Sequence, residues 1–578
     1  MTQTPSSATD RITRALADLD QFGQRNAWIH VAEHSELMRV AAEVDAAVAS
    51  GENLPLAGMV IAVKDNIDVA GMPTTCASPG ASYTPDQDAT SVRLLRAAGA
   101  VILGKTNMDQ FATGLVGVRS PYGIPVSVLD PELVSGGSSS GSAVAVAQGI
   151  VDAALGTDTA GSGRVPAAFN AIVGIKPTLG LVSTSGVVPA SPSYDAVTVF
   201  AADLSTAELV LAQIAHPDPA DPRSRRWDSR APLAAPAAPV YGVPTAQALE
   251  PMSASWRSAF ESSVAALTDA GMRVVEVDIA PLLGAAKLLY DGALIAERTA
   301  AFGALLEHES DTVNPTVAGI VRAGETKSAV ELANNQFELA RVRALLGEVW
   351  SEIDALVLPT APGHPSVAEV RADPVAVNSW VGTYTNFVNL LDLSAVAVPG
   401  IAPVGVTLIG PAFADRALLD LALHVQHVCT GSPSSSGGAT GHPSTWLPEN
   451  ASIAVFGAHL TGQPLNHQLT SRGARLLGEV TTAATYSLYA LDTVPPKPGL
   501  VRNTGSGTSF IGEEWAIPVA RLAEFLGDVA RPMCVGQVEL SDGRQVLGFL
   551  CEPHALDSAQ NISDFSGWAE YTSFSPVR

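Results

Sequence analysis

Two glycine-lined turns place hydroxyl groups where they can act as nucleophiles: Gly136-Gly137-Ser138-Ser139-Ser140-Gly141-Ser142 and Gly156-Thr157-Asp158-Thr159-Ala160-Gly161-Ser162-Gly163-Arg164. Upstream, Val63-Lys64-Asp65-Asn66 sets one lysine at the end of an apolar run, Met59 to Val63. A serine hydroxyl is a weak nucleophile until a neighbouring base draws off its proton. A lysine with two serines can do this without histidine, which makes acyl transfer the chemistry to expect. A serine in a glycine-rich run is by itself often only a loop. Here three such features follow one another in order.

The surrounding elements must hold these turns still. From Leu56 to about Ala202, short apolar runs such as Val60-Ile61-Ala62-Val63 and Ala100-Val101-Ile102-Leu103-Gly104 alternate with helical stretches such as Ala89 to Ala98. That alternation predicts an α/β sheet with helices on its faces. A second such region spans roughly 240–410, with Val274-Val275-Glu276-Val277 and Ala355-Leu356-Val357-Leu358-Pro359. Residues from about Asp10 to Ala49 read as helices, because Ile12, Leu16 and Leu19, then Leu37, Val40 and Val44, recur at helical spacing. The stretch from about Pro217 to Pro239 is rich in proline and polar residues and reads as a surface excursion.

The run Thr430-Gly431-Ser432-Pro433-Ser434-Ser435-Ser436-Gly437-Gly438-Ala439-Thr440-Gly441 has too little apolar surface to order itself and reads as a linker. The expected division is therefore residues 1–429, with a helical segment at about 10–50, a linker at 430–450, and a C-terminal unit at 451–578. Ile453-Ala454-Val455-Phe456, Thr485-Tyr486-Ser487-Leu488-Tyr489 and Val538-Glu539-Leu540 read as strands of that last unit.

The 578 residues are too many for one ordinary domain. A hydrophobic fraction of 47% supplies a large core. The net charge of −24 argues against a nucleic-acid partner, because phosphate would be repelled. Cys76, Cys429, Cys534 and Cys551 form no C-x-x-C pair, so neither a disulfide framework nor a structural zinc site is expected. His424 and His427 lack a third ligand, and neither a metal nor a cofactor is expected. Met1-Thr2-Gln3-Thr4-Pro5 has no basic start or apolar h-region, and no apolar run reaches membrane-spanning length; a cytoplasmic protein without membrane contact is expected.

Taken together, the two turns, the upstream Val-Lys-Asp and the later Gly174-Ile175-Lys176-Pro177-Thr178-Leu179-Gly180-Leu181-Val182-Ser183 resemble the amidase signature family over roughly residues 55–410. The resemblance implies a mixed sheet core flanked by helices. It implies Ser162 as nucleophile, Ser138 as a bridging serine held through a cis peptide bond, and Lys64 as the base acting through Ser138. Burial beneath the glycine turns would lower the lysine pKa enough for that role. The amides of Thr159, Ala160, Gly161 and Ser162 would face the developing oxyanion, each worth about 2.7–4 kcal/mol in the transition state. Gly136 joins the substrate pocket, and its lack of a side chain lets the backbone turn. Ser139, Ser140 and Ser142 are expected in turn or cap roles and Asp158 in a structural one. Many family members carry Gly-Gly-Ser-Ile-Arg in the second turn; the smaller Gly163 here suggests a different pocket wall.

Within the family, the Ala160-Gly161-Ser162-Gly163-Arg164 turn, the pair Tyr290 and Arg298, and the added C-terminal unit resemble the allophanate hydrolases. On one helix, Tyr290 and Arg298 would lie about two turns apart on nearly the same face. A phenol and a guanidinium make a carboxylate clamp. The implied substrate is allophanate, a small urea bearing a carboxylate; another small carboxylated amide is the alternative. A component of an ammonia-transferring amidotransferase and a non-catalytic scaffold are further readings, the last opposed by the intact Lys64, Ser138 and Ser162. The C-terminal unit, from Val455-Phe456-Gly457-Ala458-His459 to Gly512-Glu513-Glu514-Trp515, more distantly resembles the α+β γ-glutamylcyclotransferase-like fold. His459 and Glu513 are its acid–base candidates for decarboxylation of the first product, or the unit serves assembly only. The resemblance also implies a homodimer built through the main domain.

Overall fold

The computed structural model describes residues 7–22, 26–308, 312–431 and 446–574. These form two compact units, one of Met1–Arg226 with Ala238–Ser434, the other of Trp227–Ala237 with Ser435–Arg578. Most of the serine- and glycine-rich run after Thr430 lies outside the described residues.

The first unit is built on one mixed sheet of eleven strands: β1 (Trp28–Val31), β2 (Val60–Lys64), β3 (Val101–Thr106), β4 (Ala153–Asp158), β5 (Val173–Lys176), β6 (Ala196–Ala201), β7 (Val240–Pro244), β8 (Arg273–Val277), β9 (Ala355–Pro359), β10 (Leu393–Pro399) and β11 (Gly405–Pro411). Their spatial order is β1-β3-β2-β4-β6-β5-β10-β11-β9-β7-β8. The central strands β2 to β6 are buried along their whole length. That explains their near-continuous apolar runs, since helices cover the sheet. β1 is a strand inside the region read as helical; it pairs antiparallel with β3 between the helices Ala8–Phe22 and His34–Ala49. Its four residues, WIHV, are too few for a period to show.

Strand direction decides where the site lies. β2 is parallel to both β3 and β4, so Lys64, Thr106 and Asp158 end on one edge of the sheet. Ligands in such sheets gather beyond the carboxyl ends of parallel strands. The loop after β3 and the turn after β4 both leave from this edge. The helix Ser140–Ala147, SGSAVAVA, precedes β4 and is buried from Ser140 through Val146. Its serines tie it down: Ser142 Oγ donates to Leu155 O (2.9 Å) and meets Thr106 Oγ1 (2.7 Å), while Ser139 Oγ donates to Thr157 O (3.1 Å). A Cβ at Gly141 would come within 2.1 Å of Ala27 O, so only glycine fits there.

The second unit has a sheet of β12 (Asn450–Val455), β13 (Arg475–Thr481), β16 (Ile511–Pro518), β17 (Met533–Glu539) and β18 (Gln545–Cys551), in the order β13-β16-β12-β18-β17. A smaller sheet joins β14 (Tyr486–Leu491), β15 (Lys497–Arg502) and β19 (Gln560–Asn561). Ile453, Val455, Tyr486, Leu488, Phe510, Trp515 and Ile517 form its core. The segment Trp227–Ala237 belongs to this unit rather than being a free excursion. Leu233 is fully buried and its N–H donates to Gly473 O (2.8 Å), and Ala520 N–H donates to Ser229 O (3.1 Å). Its few apolar side chains do the anchoring, which a count of prolines and polar residues hides. Among the described residues, no helix is long and apolar enough to cross a membrane.

Candidate active site

Lys64 ends β2 after four apolar residues and is completely buried. Its Nζ lies 2.8 Å from Ser138 Oγ, 2.7 Å from Thr157 Oγ1 and 3.4 Å from Thr157 O. Burial pushes its pKa down to about 7, although the carboxylates of Asp109, Asp195 and Asp158 act in the opposite direction. A group at that value is substantially neutral near pH 7 and can take a proton. The Gly137–Ser138 peptide bond is cis.

The second turn follows β4 directly. Ser162 Oγ donates to Gly114 O at 3.4 Å and makes no hydrogen bond to Ser138 among the described residues. The lysine–serine contact is therefore closed, and no serine–serine contact is made among the described residues. Catalytic hydrogen bonds often tighten only when substrate is bound. The amides of Ala160, Gly161 and Ser162 donate to no acceptor among the described residues. Gly161 has φ +147°, and a Cβ on it would meet Thr385 Oγ1 at 2.4 Å. Asp158 has the structural part expected of it: it takes a bidentate pair from Arg164 (2.9 and 3.0 Å) and the Gly163 N–H (3.0 Å). A side chain at Gly163 would strike Thr198 of β6 at 2.6 Å. The small residue there is set by packing against the sheet, not by a pocket wall. Gly136, with φ +74°, faces Pro166 at 2.9 Å and leaves no room for a Cβ.

Tyr290 and Arg298 do come together, but not on one helix. A helix covers Ala280–Lys287, Ala293–Ile295 is a 3-10 turn, and Arg298 lies on the helix Ala296–His308. The chain breaks at Asp291-Gly292, where helical spacing alone predicts continuity. Arg298 Nη2 donates to Tyr290 Oη (3.3 Å), and its Nη1 donates to Thr113 Oγ1 (3.0 Å) and Ala112 O (3.4 Å). The side chain is 1% exposed and its Nε has no partner. Arg298 and Ser162 thus converge on the same three residues, Ala112 to Gly114.

Three contributors to this site escaped sequence reasoning. Thr157 supplies both oxygens that hold Lys64 beside Ser138. Asp109 accepts from Gly117 N–H and Arg119 N–H (both 2.9 Å), and its own N–H donates to Ser138 O (3.1 Å). Asp195 accepts from Thr159 Oγ1 and from the amides of Ala190 and Ser191. A threonine one residue before Asp158 and an aspartate three residues after β3 carry no motif of their own.

In the C-terminal unit, His459 lines a small cavity with Gln468, Lys497, Asp528, Met533 and Phe549, among others. Its Nε2 bonds to Gln468 Oε1 (2.9 Å) and its ring stacks on Phe549 at 4.8 Å. Burial lowers its pKa, which keeps the imidazole neutral at pH 7. Glu513 is not part of that lining; it accepts from Thr461 N–H (2.9 Å) and Trp515 Nε1 (3.0 Å). No group of three or more histidine, cysteine or acidic side chains suited to a metal ion occurs among the described residues.

A family model described as amidase matches residues 11–419, and one described as allophanate hydrolase C-terminal domain matches residues 451–573. A Kluyveromyces lactis allophanate hydrolase structure is 38% identical with a TM-score of 0.87, covering 99% of this chain and 97% of that one. A urea amidolyase from Lachancea kluyveri is 40% identical over 99% of this chain; the chain spans only 32% of that relative's length. A glutamyl-tRNA(Gln) amidotransferase component from Symbiobacterium thermophilum is 37% identical over 73% of this chain and 93% of its own. With the buried Lys64–Ser138 pair at the carboxyl edge of a mixed sheet and a family match over most of its length, the chain belongs to the amidase family and carries an allophanate hydrolase C-terminal domain.

Proposed function

We propose that this protein is an allophanate amidohydrolase working through Ser162, Ser138 and Lys64. The observation that carries the substrate class is Arg298, a buried guanidinium with an unpartnered Nε and no carboxylate partner among the described residues. The buried Asp195 acts on it electrostatically but forms no ion pair with it among the described residues, so an anionic ligand lowers the cost of burying the cation. Tyr290 Oη accepts from Arg298 and keeps its own proton to donate to a carboxylate.

The steps follow from the geometry. Neutral Lys64 accepts the Ser138 proton while Ser138 accepts that of Ser162. Ser162 Oγ attacks the terminal carboxamide carbon, and the amides of Thr159 to Ser162 receive the oxyanion. Ammonia leaves with the proton returned through Ser138, giving an acyl-enzyme. Water attacks it by the same relay and releases N-carboxycarbamate. That product loses carbon dioxide to give carbamate, which breaks down to ammonia and a second carbon dioxide. We place the assisted decarboxylation in the C-terminal cavity, where neutral His459 can exchange a proton and the Lys497 ammonium can neutralise a carboxylate. The glutamyl-tRNA(Gln) amidotransferase reading gives neither Arg298 nor this cavity a task.

We further propose the domain division 1–429, 430–450 and 451–578, with Trp227–Ala237 contributed by the first stretch to the C-terminal unit, a cytoplasmic homodimer, and a place in nitrogen release from urea; the amidase resemblance supports the last two. The charge of −24 is consistent with a small-molecule partner rather than nucleic acid.

Arg298→Ala is expected to raise KM for allophanate by roughly 10–100-fold, the scale of one charge-assisted hydrogen-bond pair. Turnover of an uncharged amide should stay within about threefold. An unchanged KM for allophanate would remove the clamp. For the second step, a point variant is preferable to truncation near Ser436, which would strand the Trp227–Ala237 segment. His459→Asn should leave the first ammonia release unchanged and delay carbon dioxide, followed by a coupled assay of each gas. Simultaneous release in wild type and variant would leave the cavity no catalytic part.

A further inference from the structure

Arg119 is a second buried arginine beside Arg298, also 1% exposed, also with an unpartnered Nε, and also without a carboxylate ion pair among the described residues. It closes the loop that runs from Asp109. Its N–H donates to Asp109 Oδ1 (2.9 Å), its carbonyl accepts from Gln110 N–H (3.0 Å), and Gly117 N–H donates to Asp109 Oδ2 (2.9 Å). Residues 109–119 are thus an Ω-loop cinched at its neck, the kind of compact loop that often carries function. The side chain then turns back into it. Nη1 donates to Thr113 O (2.9 Å) and Nη2 to Pro374 O (2.6 Å), so one guanidinium staples the loop tip to a second segment.

That tip is where the two working groups meet. The Thr113 hydroxyl and the Ala112 carbonyl accept from Arg298, and the Gly114 carbonyl accepts from Ser162. The next peptide is held from the same second segment: Leu115 N–H donates to Asn378 Oδ1 (2.7 Å). Phe111 packs on Phe302 (4.7 Å between centroids), four residues beyond Arg298 on its helix. A shift of the Thr113–Gly114 peptide therefore moves the cation relative to the nucleophile. Misplacement by about 1 Å is enough to cost roughly 10²-fold in a positioned reaction.

We propose that Arg119 is a positioning residue for charge selectivity: by fixing the Thr113 carbonyl it sets the spacing between Arg298 and Ser162 to the length of a small carboxylated amide. This rests on the carboxylated-amide reading above. Arg119 does not touch the substrate; it acts through Thr113 on the group that does. Lysine in its place would keep the charge but could reach only one of the two carbonyls, because it lacks the planar fork.

The test compares full-length wild type, Arg119→Gln, Arg119→Lys, Arg298→Gln and the double glutamine variant on allophanate and on uncharged biuret. Arg119→Gln should raise KM for allophanate about 10–100-fold and leave kcat/KM for biuret within about threefold. Arg119→Lys, the variant safer for folding, should shift the same way by about 3–10-fold. The double variant should discriminate no worse than Arg298→Gln alone, because both substitutions break one unit. Equal losses on both substrates, or additive losses of discrimination, would overturn the proposal and leave Arg119 a merely structural brace. If Arg298→Gln abolishes the preference for allophanate while Arg119→Gln and Arg119→Lys keep it, this inference alone fails. If the wild type shows no preference, the carboxylate reading fails and takes the inference with it.

Discussion

Ser162→Ala lowers ammonia release by on the order of 10⁶-fold, the scale seen when the nucleophile of a concerted serine site is deleted. Unfolding should hardly register the change. Among the described residues the Ser162 hydroxyl makes a single long hydrogen bond, 3.4 Å to Gly114 O, so its loss should shift stability by under about 1 kcal/mol. The pairing of these two outcomes is what distinguishes chemistry from structure at this position. The oxyanion amides remain in the variant, and substrate should still bind with a similar KM. Steady-state ammonia release beside thermal unfolding checks both. Residual turnover within about 100-fold of wild type would remove Ser162 as nucleophile and point to Ser138 or water.

Lys64→Met should cost about 10³–10⁴-fold in kcat/KM, the upper range for a lost general base. Methionine is of similar length and apolar, and it suits a position where burial already disfavours an ammonium. The variant is therefore expected to fold. The same lysine sets the pH dependence. Its pKa lies at about 7, and only the neutral form accepts a proton. Activity should rise with pH through about 7 and level off above it; below, kcat/KM should fall tenfold per pH unit. Lys64→Met should lose this limb. A wild-type profile flat from pH 5 to 8 would mean that Lys64 is not the titrating base.

The parts of the site that were legible in the sequence are those whose chemistry needs a particular residue in a particular local frame. Ser138 and Ser162 stand in glycine turns because the backbone there leaves no room for side chains: a Cβ on Gly137 would lie 2.1 Å from Asp109 Oδ2, and one on Gly161 2.4 Å from Thr385 Oγ1. Lys64 stands out as a charge ending an apolar strand upstream of both turns, a position Lys176 shares on β5. Tyr290 and Arg298 were legible as a pair, yet the single helix expected to carry them breaks at Gly292, where a Cβ would meet Leu288 O at 2.5 Å. Their approach is a tertiary fact: Arg298 donates directly to Tyr290 and, with its other terminal nitrogen, to Thr113.

What escaped the sequence depends on groups distant along the chain. Asp109 and Arg119 have no motif, and their partners become apparent only when the loop closes on itself and on Pro374. Thr157 looks like any strand threonine until the parallel register of β2 and β4 sets it beside Lys64. The segment Trp227–Ala237 reads as a loop by composition, but Leu233 is buried in the C-terminal unit. His459 stands out in the sequence as a candidate; its neutral state comes from burial, with Phe549 stacked on the ring.

The measurement that bears most directly on the proposed function is initial-rate ammonia release by the full-length protein from allophanate, compared with urea, biuret and a simple aliphatic amide. A preference for allophanate of about 10²-fold or more is expected if the proposed clamp of Arg298 and Tyr290 binds a carboxylate. Equal or better turnover of the uncharged amides would leave the Lys64–Ser138–Ser162 relay standing and contradict both the substrate and the part given to Arg298.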